Sequence, residues 1–233
     1  MLPKWDELPS QFHNGEVREY YDILKRKRAS LIAKRVFDIT AAFVLLLIFS
    51  PVFIVLAGMI KIDSRGPVFY RQSRVTTGNK DFLIYKFRTM EKNADRKGPL
   101  LTENDDARIT RIGKTLRKYR IDELPQLLNT ITGDMSFVGA RPEVRKYVDR
   151  YSNEMLATLL MPAGITSTAS ICYKDENEIM EHYKKKGGDR EDAYINEVLP
   201  RKMEYNLDYL KTFRFRNDVK IMGQTVAAMV KHT

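Results

Sequence analysis

Between Asp38 and Lys61 the chain runs for 22 residues, Ile39 to Ile60, without a charged side chain. As one straight helix this segment would be about 33 Å long at 1.5 Å per residue, enough to cross the hydrocarbon core of a bilayer. Ser50-Pro51 lies at its middle. The ring of Pro51 removes a backbone donor and crowds the preceding turn, while the hydroxyl of Ser50 can satisfy a carbonyl so released. A bend is therefore predicted there. Basic residues stand on both sides: Lys25-Arg26-Lys27-Arg28, Lys34 and Arg35 before the run, and Lys61, Arg65, Arg71 and Arg74 after it. A single span cannot put both basic flanks on the cytoplasmic side. A helix-break-helix that enters the membrane and returns can. The competing forms are a kinked transmembrane helix and a core helix of a soluble protein. The 38 mostly polar residues ahead of the run, with no small-residue cleavage site, argue against a secretory leader.

Charge narrows the partners. With 40 Lys+Arg against 30 Asp+Glu the formal net charge is +10, which favours anionic lipids, phosphate-bearing substrates or nucleic acid. No nucleic-acid motif accompanies the charge, and a 22-residue apolar run suits that role poorly, so nucleic acid is excluded. One cysteine, Cys172, rules out an intrachain disulfide and fits a reducing compartment. The scattered His13, His182 and His232 suggest neither a zinc centre nor a Ser-His-Asp triad.

The chain divides into an N-terminal arm (1–35), the membrane segment (36–62) and a catalytic domain (63–233). The arm carries a helical pattern from Val17 to Leu24 and is expected to lie on headgroups. Pro67–Val75 and Asp81–Arg88 flank Thr-Gly-Asn and read as a β-hairpin, whereas Asn93–Asp106, with Gly98-Pro99, reads as a mobile loop. Ile109, Ile112 and Leu116 predict an amphipathic helix over Arg108–Tyr119 whose other faces carry Arg111, Lys114, Arg117 and Lys118. Gly133–Pro142 reads as a loop, and helical patterns return at Tyr194–Lys211 and Asn217–Lys231. The fold class is α+β, mainly helical, with a re-entrant membrane helix, amphipathic interfacial helices and a small hairpin.

Asp122-Glu123 follows the basic helix and precedes Leu-Pro-Gln-Leu-Leu, with Asp122 at the position of an N-cap. The helix start and Arg117, Lys118 and Arg120 favour ionised carboxylates there, suited to a nucleophile or a Mg²⁺ ligand for a phosphate ester. Plain capping is the alternative, and the chain contains a decoy, since Asp6-Glu7-Leu8-Pro9 repeats the tetrapeptide without a basic helix ahead of it. Lys86, Arg88, Arg117 and Arg141 are the basic residues set among apolar neighbours, and they could converge on phosphate, unless each is simply a solvated charge.

A series of blocks in one order then carries a resemblance. Around Lys-Arg-Val-Phe-Asp-Ile and Ser50-Pro51 they are Gly66–Val75, Lys86-Phe-Arg-Thr-Met, Arg108-Ile-Thr-Arg-Ile-Gly, Asp122-Glu-Leu-Pro-Gln-Leu and Gly133-Asp-Met-Ser-Phe-Val-Gly. Over residues 34–231 the chain resembles the bacterial sugar transferases, monotopic polyprenyl-phosphate glycosyl-1-phosphate transferases. That resemblance implies a membrane helix broken at Ser50-Pro51 and a site on the cytoplasmic face of the inner membrane. It implies transfer of a sugar-1-phosphate from a UDP-sugar to a polyprenyl phosphate, undecaprenyl phosphate above all, with release of UMP. Asp122 would be the nucleophile that carries the phospho-sugar, Glu123 its support, and Mg²⁺ the cofactor, with Asp122 as ligand. Lys86, Arg117 and Arg141 would bind phosphate. Anionic lipids are further expected partners, and a homodimer is left open. Two departures from the family pattern stand out. Ala140 replaces the first proline of Pro-Arg-Pro, relaxing one rigid φ beside Arg141, and Ser167 replaces a glycine that could serve a left-handed backbone. The rivals are a one-step transferase using Asp122 as base and a membrane-tethered nucleotide-sugar-binding protein or inactive homologue.

Overall fold

In the computed structural model the described residues are 2–94, 106–173, 179–180, 183, 185 and 189–231, so most of the loop predicted over Asn93–Asp106, together with His182 and His232, lies outside them. Two short 3₁₀ turns lead to α1 (Gly15–Arg26), which begins where the Asn14 side chain accepts from the Val17 N–H at 2.9 Å. Its apolar stripe, Val17, Tyr20, Tyr21 and Leu24, is buried with Phe12 against Leu156, Leu160, Leu210 and Phe213. The N-terminal residues expected on headgroups are instead part of the largest core: an i, i+3, i+4, i+7 stripe finds protein as readily as lipid.

α2 (Arg28–Asp63) is 36 residues long. Among the described residues it is the one helix long and apolar enough to cross a membrane. The predicted break is not an interruption, since Pro51 lies inside the helix. The missing proline N–H would leave the Leu47 carbonyl without its helical donor, and Ser50 Oγ donates to that carbonyl at 2.8 Å. The middle of α2 is bare: Phe43, Leu47, Ile48, Ile54 and Val55 are all more than half exposed.

Both ends of α2 are fastened to the same body. At the first end, Lys34 is buried and donates to Asp218 at 2.5 Å and to the Val138 carbonyl at 2.8 Å. Asp38 accepts from Ser136 Oγ at 2.7 Å and from the Phe137 N–H at 3.3 Å. Arg35 donates to the Thr130 and Ile131 carbonyls at 2.5 and 2.8 Å, a cation on a helix C-terminus. At the far end Ile60 packs with Phe87 and Leu116, and Asp63 accepts from the Ile112 N–H at 3.0 Å. Lys34 and Arg35, counted from sequence with the basic flank, are thus internal fasteners, whereas Lys25, Arg26, Arg28, Lys61, Arg65 and Arg71 are exposed.

The hairpin forms as predicted, β1 (Phe69–Thr76) against β2 (Lys80–Phe87), antiparallel, with Tyr70 opposite Lys86. Next come α3 (Arg111–Lys118), α4 (Gln126–Thr132), β3 (Met135–Val138), α5 (Arg145–Val148) and β4 (Ala163–Thr166). β3 and β4 pair in parallel, so the segment read as a loop over Gly133–Pro142 contains a strand, whose partner is 28 residues away at Met135 and Ala163. Gly164 makes this pairing possible at its end, since a Cβ there would meet the Gly139 backbone N at 2.2 Å. α6 (Thr168–Cys172) follows, then α7 (Arg190–Ala193), a π-turn over Tyr194–Val198, α8 (Leu199–Thr212) and α9 (Phe215–Lys231). Ser167 does not sit in a left-handed backbone. Its φ is −150°, and its hydroxyl caps α6 by accepting from the Ser170 N–H at 3.0 Å.

Candidate functional site

Asp122 and Glu123 are placed by a tight turn. α3 docks through its start: Thr110 caps it by accepting from the Gly113 N–H, and the Thr110 N–H donates to the Thr89 carbonyl at 3.0 Å. Only glycine fits at 113, where a Cβ would lie 2.0 Å from that same carbonyl. One turn further on, Arg117 Nε donates to Thr89 Oγ1 at 2.8 Å. Arg120 then adopts a left-handed conformation, φ 56°, and the chain enters a 3₁₀ turn, Ile121–Glu123, that turns both carboxylates inward. Left-handed non-glycine residues are strained, and such strain collects at functional sites. Asp122 is not the N-cap of α4 that its position suggests. α4 starts at Gln126 behind Pro125 with no side-chain cap.

The two carboxylates are not equivalent. Glu123 is buried and fully engaged: Lys86 Nζ donates to Oε1 at 2.9 Å, Arg141 Nη2 to Oε1 at 2.5 Å and Arg141 Nη1 to Oε2 at 3.4 Å. Burial pushes the Glu123 carboxyl up, but Arg141 and Lys86, by charge and hydrogen bond, outweigh it and hold the group well below the ordinary carboxylate range. Asp122 has no hydrogen bond or ion pair among the described residues. Its neighbours act at longer range. Burial and then the charge of Glu123 push its carboxyl up, against Lys86, Arg117 and Arg120, which favour the ionised form. One carboxylate is thus locked and ionised beside one that is unpartnered among the described residues and raised.

Of the basic residues singled out from sequence, Lys86, Arg117 and Arg141 gather around Asp122-Glu123. Arg88 does not. β2 ends at Phe87, and the Arg88 guanidinium turns to the end of α2, donating to the Ser64 carbonyl at 2.6 Å, Ser64 Oγ at 2.8 Å and the Pro67 carbonyl at 2.5 Å. It ties the membrane helix to the hairpin. Sequence reasoning missed the fasteners of the Arg141 loop. The Glu143 N–H neighbourhood is clamped from three sides: the Val75 N–H donates to the Glu143 carbonyl at 3.0 Å, Arg74 to the Pro142 carbonyl at 3.1 Å, and Tyr194 Oη to the Glu143 carboxylate at 2.5 Å. Nothing in the local pattern of Arg-Pro-Glu signalled partners 50 or more residues distant.

No cluster of three or more His, Cys, Asp or Glu side chains that could hold a metal occurs among the described residues. Mg²⁺ commonly takes only one or two protein carboxylates and completes its octahedron with water and substrate phosphate. The unpartnered Asp122 meets that smaller requirement.

The bacterial sugar transferase family model matches residues 29–232. The chain is 38% identical over 201 residues to a UDP-N-acetylgalactosamine-undecaprenyl-phosphate N-acetylgalactosaminephosphotransferase of Aeromonas hydrophila, a match covering 84% of this chain and 43% of that protein. It is 34% identical over 202 residues to a UDP-glucose:undecaprenyl-phosphate glucose-1-phosphate transferase of Caulobacter vibrioides, covering 85% and 70% of the two chains. A protein of that same description from Escherichia coli K12 is 32% identical over 198 residues, with 84% of this chain and 39% of the relative covered. The chain thus spans less than half the length of two of these three relatives.

Proposed function

Because the chain belongs to the bacterial sugar transferase family, we propose that it moves a sugar-1-phosphate from a UDP-sugar to undecaprenyl phosphate, releasing UMP and starting a lipid-linked glycan. The observation that carries this reading is the unequal pair. Glu123 is engaged by Lys86 and Arg141, while Asp122, near Lys86, Arg117 and Arg120, has no hydrogen bond or ion pair among the described residues. One Asp122 carboxylate oxygen attacks the phosphorus that bears the sugar. The bond from that phosphorus to the bridging oxygen breaks, and UMP leaves with the electron pair. The acyl phosphate so formed is attacked at phosphorus by an oxygen of undecaprenyl phosphate, which restores the Asp122 carboxylate and yields the sugar diphospholipid. Lys86, Arg117 and Arg141 neutralise the phosphoryl oxygens, with the arginines able to grip them in pairs. Mg²⁺, held by Asp122 and substrate phosphate, would supply further charge neutralisation and orientation. Incubation with Mg²⁺, undecaprenyl phosphate and a panel of UDP-sugars is expected to release UMP with at least one of them. Absence of UMP from every sugar tested would overturn the reading.

The same reading includes a re-entrant anchor on the cytoplasmic face of the inner membrane. Its support is the fastening of both ends of α2 to one body, because a span would separate those ends by a bilayer core of about 30 Å. Each limb, Ile39–Ser50 and Pro51–Ile60, is roughly 15–18 Å long, about half that thickness. Exposed cations at both ends, Lys25, Arg26 and Arg28 on one side and Lys61 and Arg65 on the other, suit anionic headgroups. Single cysteines placed at Arg26 and Arg65 in a Cys172→Ser background should both resist an impermeant maleimide in intact cells and both react in inverted vesicles. Opposite accessibility of the two would establish a simple span instead.

A further inference from the structure

β1 alternates, and Tyr70, Gln72 and Arg74 share the less exposed face of the hairpin with Lys86, which lies directly across from Tyr70. This face leads from the carboxylate pair to Arg74. The Arg74 guanidinium is half-buried, and its bonds are few: Nε and Nη2 donate to Gln72 Oε1 at 3.1 and 2.8 Å, and Nη1 donates to the Pro142 carbonyl at 3.1 Å. Of the five N–H groups of an arginine, two on Arg74 have no acceptor, and no carboxylate pairs with it among the described residues. The charge of Glu143 favours the Arg74 cation, but at longer range than an ion pair. That carboxylate accepts from Tyr194 Oη at 2.5 Å and faces Lys202 Nζ at 3.8 Å. The Pro142 carbonyl that Arg74 holds belongs to the residue after Arg141, whose charge disfavours that of Arg74. Partly buried cations are ordinarily paired. Arg74 thus keeps two N–H donors without an acceptor among the described residues, on the hairpin face that carries Lys86 toward the carboxylate pair, where a phosphate oxygen could take them.

Resting on the transferase reading above, we propose that Arg74 is a substrate-binding residue which, beside Arg141, grips the phosphate of the donor that stays with the nucleoside. Arg141, tied to Glu123, then serves the phosphorus under attack, and the Gln72 amide oxygen fixes the plane of the Arg74 fork. The substrate class is a nucleoside diphosphate-sugar, and the product held by the same contact is the nucleoside monophosphate.

The probe is UMP, titrated calorimetrically into wild type, Arg74→Lys and Arg74→Gln, with donor and acceptor KM measured alongside. Losing a charge-assisted fork of this kind costs roughly 1.5–3 kcal/mol, so UMP affinity and donor KM are expected to worsen about ten- to hundredfold in Arg74→Gln, and less in Arg74→Lys. The KM for undecaprenyl phosphate should stay within about twofold, a change of roughly 0.4 kcal/mol. Unchanged UMP affinity in Arg74→Gln, or equal losses toward donor and acceptor, would overturn the proposal and leave Arg74 as a fastener of the Pro142 carbonyl. Should the glutamine variant not fold, the lysine variant, which keeps the charge, decides by the same two measurements. Wild-type protein that releases no UMP yet binds UMP through Arg74 would sink the transferase reading and spare this one.

Discussion

Asp122→Asn is expected to lower kcat for UMP release by on the order of a thousandfold or more, because an amide cannot form the acyl phosphate. Donor KM should change far less than kcat, since the cations that would hold phosphate, Lys86, Arg117 and Arg141, keep their positions even where the carboxylate that would share Mg²⁺ is lost. Asparagine is nearly isosteric, and Asp122 has no hydrogen bond among the described residues to lose. Incubating wild type with a UDP-sugar labelled in its sugar-bearing phosphate, without acceptor, should leave label on the protein, and the variant should carry none. A variant with full turnover would remove Asp122 from the chemistry. Slow turnover without any trapped label in wild type would favour the one-step route with Asp122 as base. The acid limb of the pH profile offers a second check. Burial and the neighbouring Glu123 charge raise the Asp122 carboxyl above its ordinary value, so the ionised nucleophile is lost on acidification at a pH higher than a free aspartate would give. Glu123 is held in the other direction and stays ionised through that range. Arg117→Gln, which removes one cation favouring ionised Asp122, should move the limb further toward neutral pH.

Much of this site could be read from the chain, and what could not has identifiable causes. Asp122-Glu123 was legible as a pair because local charge and the surrounding blocks converge on it. Which carboxylate is free was not, since the partners that engage Glu123 lie 37 and 18 residues away, at Lys86 and Arg141. Lys86 and Arg88 stand two apart and should share a strand face. The strand stops at Phe87, and the free carbonyls at the end of α2 capture Arg88 instead. The short strands Met135–Val138 and Ala163–Thr166 are too brief for periodicity to distinguish from loop, and their parallel pairing is set by tertiary contact. The left-handed backbone that a glycine at 167 could serve is not adopted: Ser167 is extended, and its hydroxyl caps α6. Lys34 and Arg35 read in sequence only as basic flanking charge, and the fold reveals the acid and the carbonyls they serve.

Lys34 also supports the largest expected change in stability. Its ammonium and the Asp218 carboxylate lie 2.5 Å apart with almost no exposure, and Asp218 Oδ1 accepts from Tyr209 Oη at 2.9 Å. Removing one member of a buried pair strands the other, which costs about 3–5 kcal/mol. Lys34→Ala is accordingly expected to destabilise the protein by that amount, and the loss of its bond to the Val138 carbonyl acts in the same direction. Asp218→Leu alone would strand the ammonium with a similar penalty. The double replacement Lys34→Met with Asp218→Leu should recover much of the loss, because apolar groups of similar volume can replace a buried ion pair at little cost. Chemical unfolding of the detergent-solubilised protein, followed by tryptophan fluorescence from Trp5 in the N-terminal core, reads all three variants. Additive losses in the double variant would show that the two residues act independently. The functional consequence follows from position. Lys34, Asp38 and Arg35 fix the first limb of α2 to β3 and α4, and α4 follows directly on the turn that bears Asp122. An anchor loosened there should therefore lower turnover even where enough folded protein remains to assay. The matched double variant, stable but without the ion pair, distinguishes a loss of anchoring geometry from a loss of folded protein.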